Sequence, residues 1–245
     1  MKIFLAGTYA EKNYRDILKQ SPFLLESFFY IKDWQIEDIP KHREFLLDSG
    51  AFTFITNGKQ KIDWNDYVFR YVEFIKENKI ERFFELDIDS VIGYEKVKEF
   101  RKEIERKTGR QCIPVWHKSR GLEEFRRLAE EYKYIALGGI AAKEISQNEH
   151  RFFPYLIEEA HKRGAKIHGL GFSSIAELPK YHFDSVDSTR WNSARFGGVE
   201  FFDGKGMRRV KAEEGMKMVG RKNPNVIRKS LTEWIKFQEY AETHL

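Results

Sequence analysis

The sequence predicts an α/β protein of the (β/α)8, TIM-like barrel class. Three observations carry the prediction. Short apolar runs alternate with amphipathic stretches at helical spacing, about eight such runs fit within the 245 residues, and many of the runs end in acidic or glycine positions. About eight parallel strands in roughly 250 residues is the arithmetic of that barrel. A doubly wound open sheet is the alternative built from the same βα units.

Candidate strands fall at residues 2–7, 27–32, 45–50, 82–88, 112–117, 134–139, 166–171 and 183–189. Each is a short run rich in aliphatic or aromatic residues, bounded by charges or turn residues. The first, Lys-Ile-Phe-Leu-Ala-Gly, has one basic residue and too short an apolar run for a signal peptide. Helices are expected at 67–78, 94–107, 122–132 and 152–162. The second of these carries Val97, Phe100 and Ile104 at helical spacing. Gly109 and Gly164 follow two of them as stop residues. A terminal helix is expected at 224–243, after Asn223-Pro224-Asn225. The expected division is a catalytic barrel over 1–203 and a basic helical extension over 204–245 packed on it.

Composition bounds the function. Hydrophobic residues make up 41% and charged residues 33%, which suits a globular protein, and no apolar run reaches the ~20 residues of a membrane span. The expectation is a cytoplasmic protein with no membrane partner. The single cysteine, Cys112, excludes an internal disulfide and a multi-cysteine metal site. Without a His-x-His pair or an HExxH helix, no metal is expected, and without a Walker or dinucleotide fingerprint no nucleotide cofactor is expected. The net charge is +5, yet residues 204–229 hold nine basic and two acidic residues, a local excess of +7. That segment, with Lys205, Arg208, Arg209, Lys211, Arg221 and Lys222, reads as a phosphate-backbone contact zone or as a solvated helical face.

In a (β/α)8 barrel, chemistry sits at the C-terminal ends of the strands. Here those ends read Asp48-Ser-Gly50, Asp87-Ile-Asp89, Trp116-His117, Gly138-Gly139, His168-Gly-Leu-Gly171 and Asp184-Ser-Val-Asp187, followed by Arg190. Carboxylates from different strands can divide nucleophilic attack and proton transfer between them. Arg190 would lower the pKa of a neighbouring aspartate or grip a phosphate. Glycine pairs let a flat ligand lie against the backbone. Phe52, Trp116 and Phe172 are either base-stacking platforms or core residues.

Three of these stretches resemble motifs of the tRNA-guanine transglycosylase superfamily. Asp48-Ser-Gly-Ala-Phe52 is close to its Asp-Ser-Gly-Gly-Phe motif. Gly138-Gly-Ile-Ala-Ala-Lys-Glu144 resembles its Gly-Gly-Leu-Ala-Val-Gly-Glu stretch. Phe183-Asp-Ser-Val-Asp-Ser-Thr-Arg190 resembles its Phe-Asp-Cys-Val-x-Pro-Thr-Arg. They occur in the family's order and span about residues 45–200. The short length and missing zinc motif look most like the phage-type DNA 7-deazaguanine transglycosylases (DpdA type).

The resemblance implies a barrel that exchanges guanine in DNA for a free 7-deazaguanine base of the preQ0 kind, with tRNA as the alternative polymer. It implies Asp184 as nucleophile on ribose C1′ and Asp48 as general acid/base. It implies Asp87, with Asp89 as rival, on the guanine edge. Gly138, Gly139 and Ile140 would present backbone to the deazaguanine, and Glu144 would back that peptide. The Trp116-His117 region replaces the family's glutamine, so His117 joins the base-binding set. Asp187 has no acidic counterpart in the bacterial motif and is a second nucleophile candidate. A glycosidase and a barrel that binds without catalysis are the remaining alternatives.

Overall fold

The computed structural model describes residues 1–50, 53, 62–196, 198–211 and 224–245. Seven parallel strands form one curled sheet: β1 (Lys2–Ala6), β2 (Phe23–Ser27), β3 (Glu44–Asp48), β4 (Val115–Trp116), β5 (Tyr134–Leu137), β6 (Lys166–Gly169) and β7 (Ser185–Ser188). Their order is β3-β2-β1-β7-β6-β5-β4, every neighbouring pair is parallel, and the sheet's first and last strands in chain order, β1 and β7, are neighbours. The sheet thus curls in the TIM-like manner. Its two edge strands do not pair directly. Phe83 bridges Leu47 of β3 on one side, and Phe84 bridges Ile113, just before β4, on the other.

The fourth expected strand, 82–88, is therefore reduced to these two bridges. The cause lies in Glu85, whose carboxylate accepts the Val115 N–H (2.9 Å) where a strand would offer a backbone carbonyl. That carboxylate is fully buried, 3.3 Å from Arg101 and 3.2 Å from Arg120. The second strand also differs: it covers Phe23–Ser27, not 27–32. Phe28, Phe29 and Tyr30 have strand-like composition but form the turn after it, with Phe28 packed edge-on against Tyr67 and tilted against Tyr71 and Phe74.

Helices alternate with these strands: α1 (Arg15–Leu18), α2 (Asp33–Ile36), α3 (Trp64–Glu77), α4 (Asp89–Ile92), α5 (Tyr94–Thr108), α6 (Gly121–Glu131), α7 (Phe153–Lys162) and α8 (Pro224–His244). The long ones bury one apolar stripe each, as Val97, Phe100 and Ile104 do on α5. Asp63 caps α3 by accepting the Asn65 and Asp66 N–H groups, and Gly109 ends α5 in the left-handed region at φ 69°. A small cluster fills the sheet interior, including Phe4, Phe23, Leu25, Leu46, Phe84 and Val115. The larger one lies between sheet and helices.

After β7 the chain forms an antiparallel hairpin, β8 (Gly198–Phe202) with β9 (Met207–Lys211), and then α8. The division expected after residue 203 falls in that hairpin's turn. The extension is also not helical throughout, since β9 lies within it. Leu231, Trp234 and Phe237 of α8 are buried in the main core. Gln238 of α8 donates to the Ile3 and Phe23 carbonyls at 2.7 Å, so the last helix is stitched to β1 and β2. One core therefore serves both parts.

Candidate active site

In a parallel sheet all strands point the same way, so the ends of β3, β6 and β7 share one mouth with the segments that follow the bridge and β4. Asp48 closes β3 and lies beside Ser27 in the strand register. Its carboxylate accepts the Gly50 N–H at 2.9 Å. Gly50 sits at φ +76°, where a Cβ would lie 2.6 Å from Phe29 Cβ, so glycine is required to turn the chain there. Tyr67 of α3 donates to the Ser49 carbonyl at 2.6 Å, and Tyr71 donates to the Leu47 and Phe84 carbonyls at 3.3 and 2.9 Å. Burial pushes Asp48 up to about 6; the Gly50 N–H opposes the rise, while the charges of Asp187 and Asp87 add to it. Those three aspartates, from the ends of β3 and β7 and from the segment after the Phe84 bridge, therefore act on one another in one place.

Asp187 is buried on β7, with Oδ1 2.5 Å from the Gly171 nitrogen and 3.3 Å from His168 Nε2. Asp87 lies 2.7 Å from His117 Nε2, and Glu144 lies 3.0 Å from His117 Nδ1. Burial resists charging of His117. The Asp87 and Glu144 carboxylates on its two ring nitrogens outweigh burial and raise it to about 9. His117 is then a cationic clamp between two carboxylates at neutral pH. Gly138 makes room for it, because a Cβ there would lie 2.9 Å from His117 Nε2. Glu144 also donates its N–H to the Gly139 carbonyl at 2.9 Å, which holds the Gly138-Gly139-Ile140 peptide in place. Gly139 has φ +78° and Ile140 is half-buried.

Asp89 starts α4 and pairs with Arg120 at 3.0 Å; Arg120 also reaches Asp87 at 3.8 Å and lies over the Tyr94 ring. The ligand atoms of Asp87, Asp89 and His117 fall within 4.8 Å of one another, a spacing that suits a metal ion. The Arg120 guanidinium already supplies positive charge between the two aspartates, and His117 meets Asp87 as a charged partner. The donor set as built is neutralised from within the protein.

The structure does not bring Asp184 to this mouth. Asp184 precedes β7, and its carbonyl accepts the N–H of Lys2 at the start of β1. Its carboxylate accepts the Ile167 N–H at 2.8 Å and pairs with His161 at 2.8 Å. It lies at the N-terminal end of the sheet, lining a cavity with Lys2, Arg82 and Tyr134. Asp184 therefore does not meet Asp48, and of the two aspartates it is Asp187 that lies near Asp48. β7 runs from Ser185 to Ser188, so Asp187 lies toward its C-terminal end, and alternation puts it on the same face as Ser185.

Arg190 is likewise not beside Asp184. Its guanidinium pairs with the buried Glu200 of β8, which also accepts from Trp234 at 3.2 Å. Trp116 and Phe172 are core residues, packed on Phe125 and on Phe153, Phe183 and Tyr181. Phe52, Arg221 and Lys222 lie outside the described residues, as does the side chain of Lys211. Lys205, Arg208 and Arg209 are exposed on the hairpin, Arg208 paired with Asp203 at 2.6 Å.

Residue types alone did not single out Arg120, Tyr67 or Tyr71; the position of Arg120 three residues after His117 was the available signal. His168 stood out only as part of the strand-end run His168-Gly-Leu-Gly171. Ser27 Oγ, buried beside Asp48, has no hydrogen-bond partner among the described residues.

No protein-family model matches this chain, and no curated protein matches it in sequence. Among solved structures it is similar to the carboxyl transferase domain of Rhizobium etli pyruvate carboxylase with 3-bromopyruvate, at 15% identity and TM-score 0.49. The same domain with 3-hydroxypyruvate matches at 15% and 0.48. Each match covers 98% of this chain and 48% of the other, so the chain spans about half the length of those structures. At that identity and score the likeness carries no argument about chemistry.

Proposed function

We propose that this chain is a base-exchanging glycosyltransferase that replaces guanine in DNA by a preQ0-like 7-deazaguanine, on an eight-position TIM-like barrel, with Asp187 as nucleophile. The observation that carries the reading is the convergence of Asp48, Asp87 and Asp187 at the mouth, beside the Gly138-Gly139 peptide. An Asp187 oxygen attacks C1′ while the C1′–N9 bond breaks through an oxocarbenium-like state, as in retaining glycoside chemistry. Asp48, poised at about 6, gives its proton to the departing guanine and later takes one from the incoming base. The incoming nitrogen then bonds to C1′, the sugar ester breaks, and the Asp187 carboxylate returns. Asp87 and Glu144, steadied by His117, face the guanine edge with the backbone of Gly139. A target inside a duplex must be extruded, or the polymer must be single-stranded. The exposed basic hairpin supplies phosphate contacts.

The test is incubation with labelled guanine and with labelled 7-deazaguanine in the presence of single-stranded DNA, duplex DNA and tRNA. Label should enter DNA, and Asp187→Asn should slow entry by roughly 10³-fold or more. Asp184→Asn should retain exchange. Label in tRNA alone overturns the choice of polymer; no label in any polymer overturns the reading.

A further inference from the structure

A column of polar groups runs through the sheet interior and takes no part in the steps above. Tyr134, at the start of β5, hydrogen-bonds the Ser185 hydroxyl at the start of β7. Ser185 Oγ lies 2.5 Å from His168 Nδ1, and His168 Nε2 lies 3.3 Å from Asp187 Oδ1. His168 is fully buried, with its ring near those of Phe4, Phe84 and Tyr134. Tyr134 also lines the cavity of about 500 Å³ at the N-terminal end, so the column spans the sheet from that cavity to the mouth. An imidazole in an apolar cage is costly unless both ring nitrogens are bonded, and here both are.

The direction of the hydrogen bonds follows from the donors available. A carboxylate that attacks as nucleophile must be unprotonated and can only accept, so in the proposed reaction His168 Nε2 carries the proton and donates to Asp187. Nδ1 then accepts from Ser185, which in turn accepts from the Tyr134 hydroxyl. The Gly171 N–H adds a second donor to the same Asp187 oxygen, at 2.5 Å. Oδ2 has no hydrogen bond among the described residues. The ionisable groups facing Asp187 are His168 from β6 and, through its charge, Asp48 from β3.

We infer that His168 is a positioning residue for Asp187: it aims Oδ2 at the sugar carbon and stabilises the carboxylate that leaves when the sugar ester breaks. The inference rests on the base-exchange reading. Donors on Oδ1 favour the free carboxylate over the ester, so their loss retards the second step, in which the C1′–Oδ2 bond breaks as the incoming base bonds to C1′. The covalent protein–polymer adduct then accumulates.

The experiment compares wild type with His168→Leu, His168→Gln and Tyr134→Phe. It reads kcat, KM for polymer, the adduct fraction on a denaturing gel, and the His168 tautomer by ¹⁵N NMR. His168→Leu should lower kcat by about 10- to 100-fold with KM unchanged and raise the adduct fraction several-fold. His168→Gln, which keeps an N–H donor, should recover most of the rate. Tyr134→Phe should fold normally and lower kcat by only a few-fold. A folded His168→Leu with wild-type kcat and adduct fraction overturns the proposal, as does a wild-type tautomer protonated on Nδ1. If His168→Leu does not fold, a His168→Gln protein no better than other inactive variants overturns it. Wild-type protein that exchanges no base refutes the base-exchange reading, and the tautomer still decides the direction of the column.

Discussion

At the residue scale, Asp48 and Glu26 carry raised pKa values with separate consequences for pH dependence. Asp48 rises from an ordinary 3.8 to about 6, so its acid form persists into the range where proton transfer to a leaving base is useful. The rate of guanine release under kcat/KM conditions should fall about tenfold per pH unit above about 6. A pH–rate profile checks this, and Asp48→Asn should remove both the activity and the limb. Glu26 is a separate matter. Its carboxylate accepts the Thr8 N–H at 2.9 Å and the Thr8 hydroxyl, while Oε2 is buried without a partner among the described residues. Burial pushes it from 4.5 to about 7, against the Thr8 and Gln35 contacts. The folded protein then holds this proton more tightly than the unfolded chain does. The stability tied to it is complete below about pH 4.5 and is lost as pH rises to about 7. Glu26→Gln should be near neutral at pH 4.5 and stabilising by roughly 1–3 kcal/mol at pH 8, read from urea unfolding at both pH values. Neither shift was legible from residue type, because an aspartate at a strand end and a glutamate within a strand look alike until their neighbours are known.

At the element scale, the weak point is the span between β3 and β4. Among the described residues, the bridges at Phe83 and Phe84 and the Val115 N–H on the Glu85 carboxylate join the edges there, and the Tyr71 hydroxyl ties the Leu47 and Phe84 carbonyls together from α3. Tyr71→Phe leaves the buried Phe84 carbonyl short of a donor, while the Leu47 carbonyl keeps the Phe84 N–H at 2.9 Å, and should cost about 1–2 kcal/mol. Amide exchange in the 82–85 segment should quicken before that of β1 or β7. Gly138→Ala should disturb the site and spare the fold. The new Cβ meets His117 Nε2 at 2.9 Å and Val115 Cγ1 at 2.7 Å, so the imidazole must leave its place between Asp87 and Glu144. Loss of guanine binding at nearly unchanged Tm, by calorimetry on the same preparation, is the expected outcome. Strands 1, 3, 6, 7 and 8 of the expected set were legible because their apolar runs are bounded by turn residues. The second starts earlier than its pattern suggests because Phe28, Phe29 and Tyr30 extend the aromatic pattern past the strand's end. The fourth reads as a strand because nothing local reveals that Glu85 will bond Val115 in place of the backbone.

At the scale of the whole molecule, charge and shape separate. The carboxylates converge on the mouth, while exposed cations sit on the β8–β9 hairpin. Charge reversal at Arg208 and Arg209 should weaken polymer binding and lower the salt slope by roughly one unit per lost phosphate contact. Free-base binding should be unchanged. Titration of binding at several salt concentrations reads both. Among the described residues, no helix is long and apolar enough to cross a membrane.

The alternation of apolar runs and amphipathic stretches was enough to determine an α/β chain with a parallel sheet, because periodicity is local and each element declares its own buried face. The strand-end residues Asp48, Asp87, His117, Gly138 and Gly139 were legible for the same reason. Which aspartate of the Asp184–Asp187 stretch reaches the mouth was decided only by tertiary structure. The side-chain set of β7 depends on where pairing with β1 begins, and a shift of three residues moves a carboxylate from one end of the sheet to the other. The surroundings of His168 were decided there too, since Tyr134, Ser185 and Asp187 come from other strands and meet only when the sheet curls.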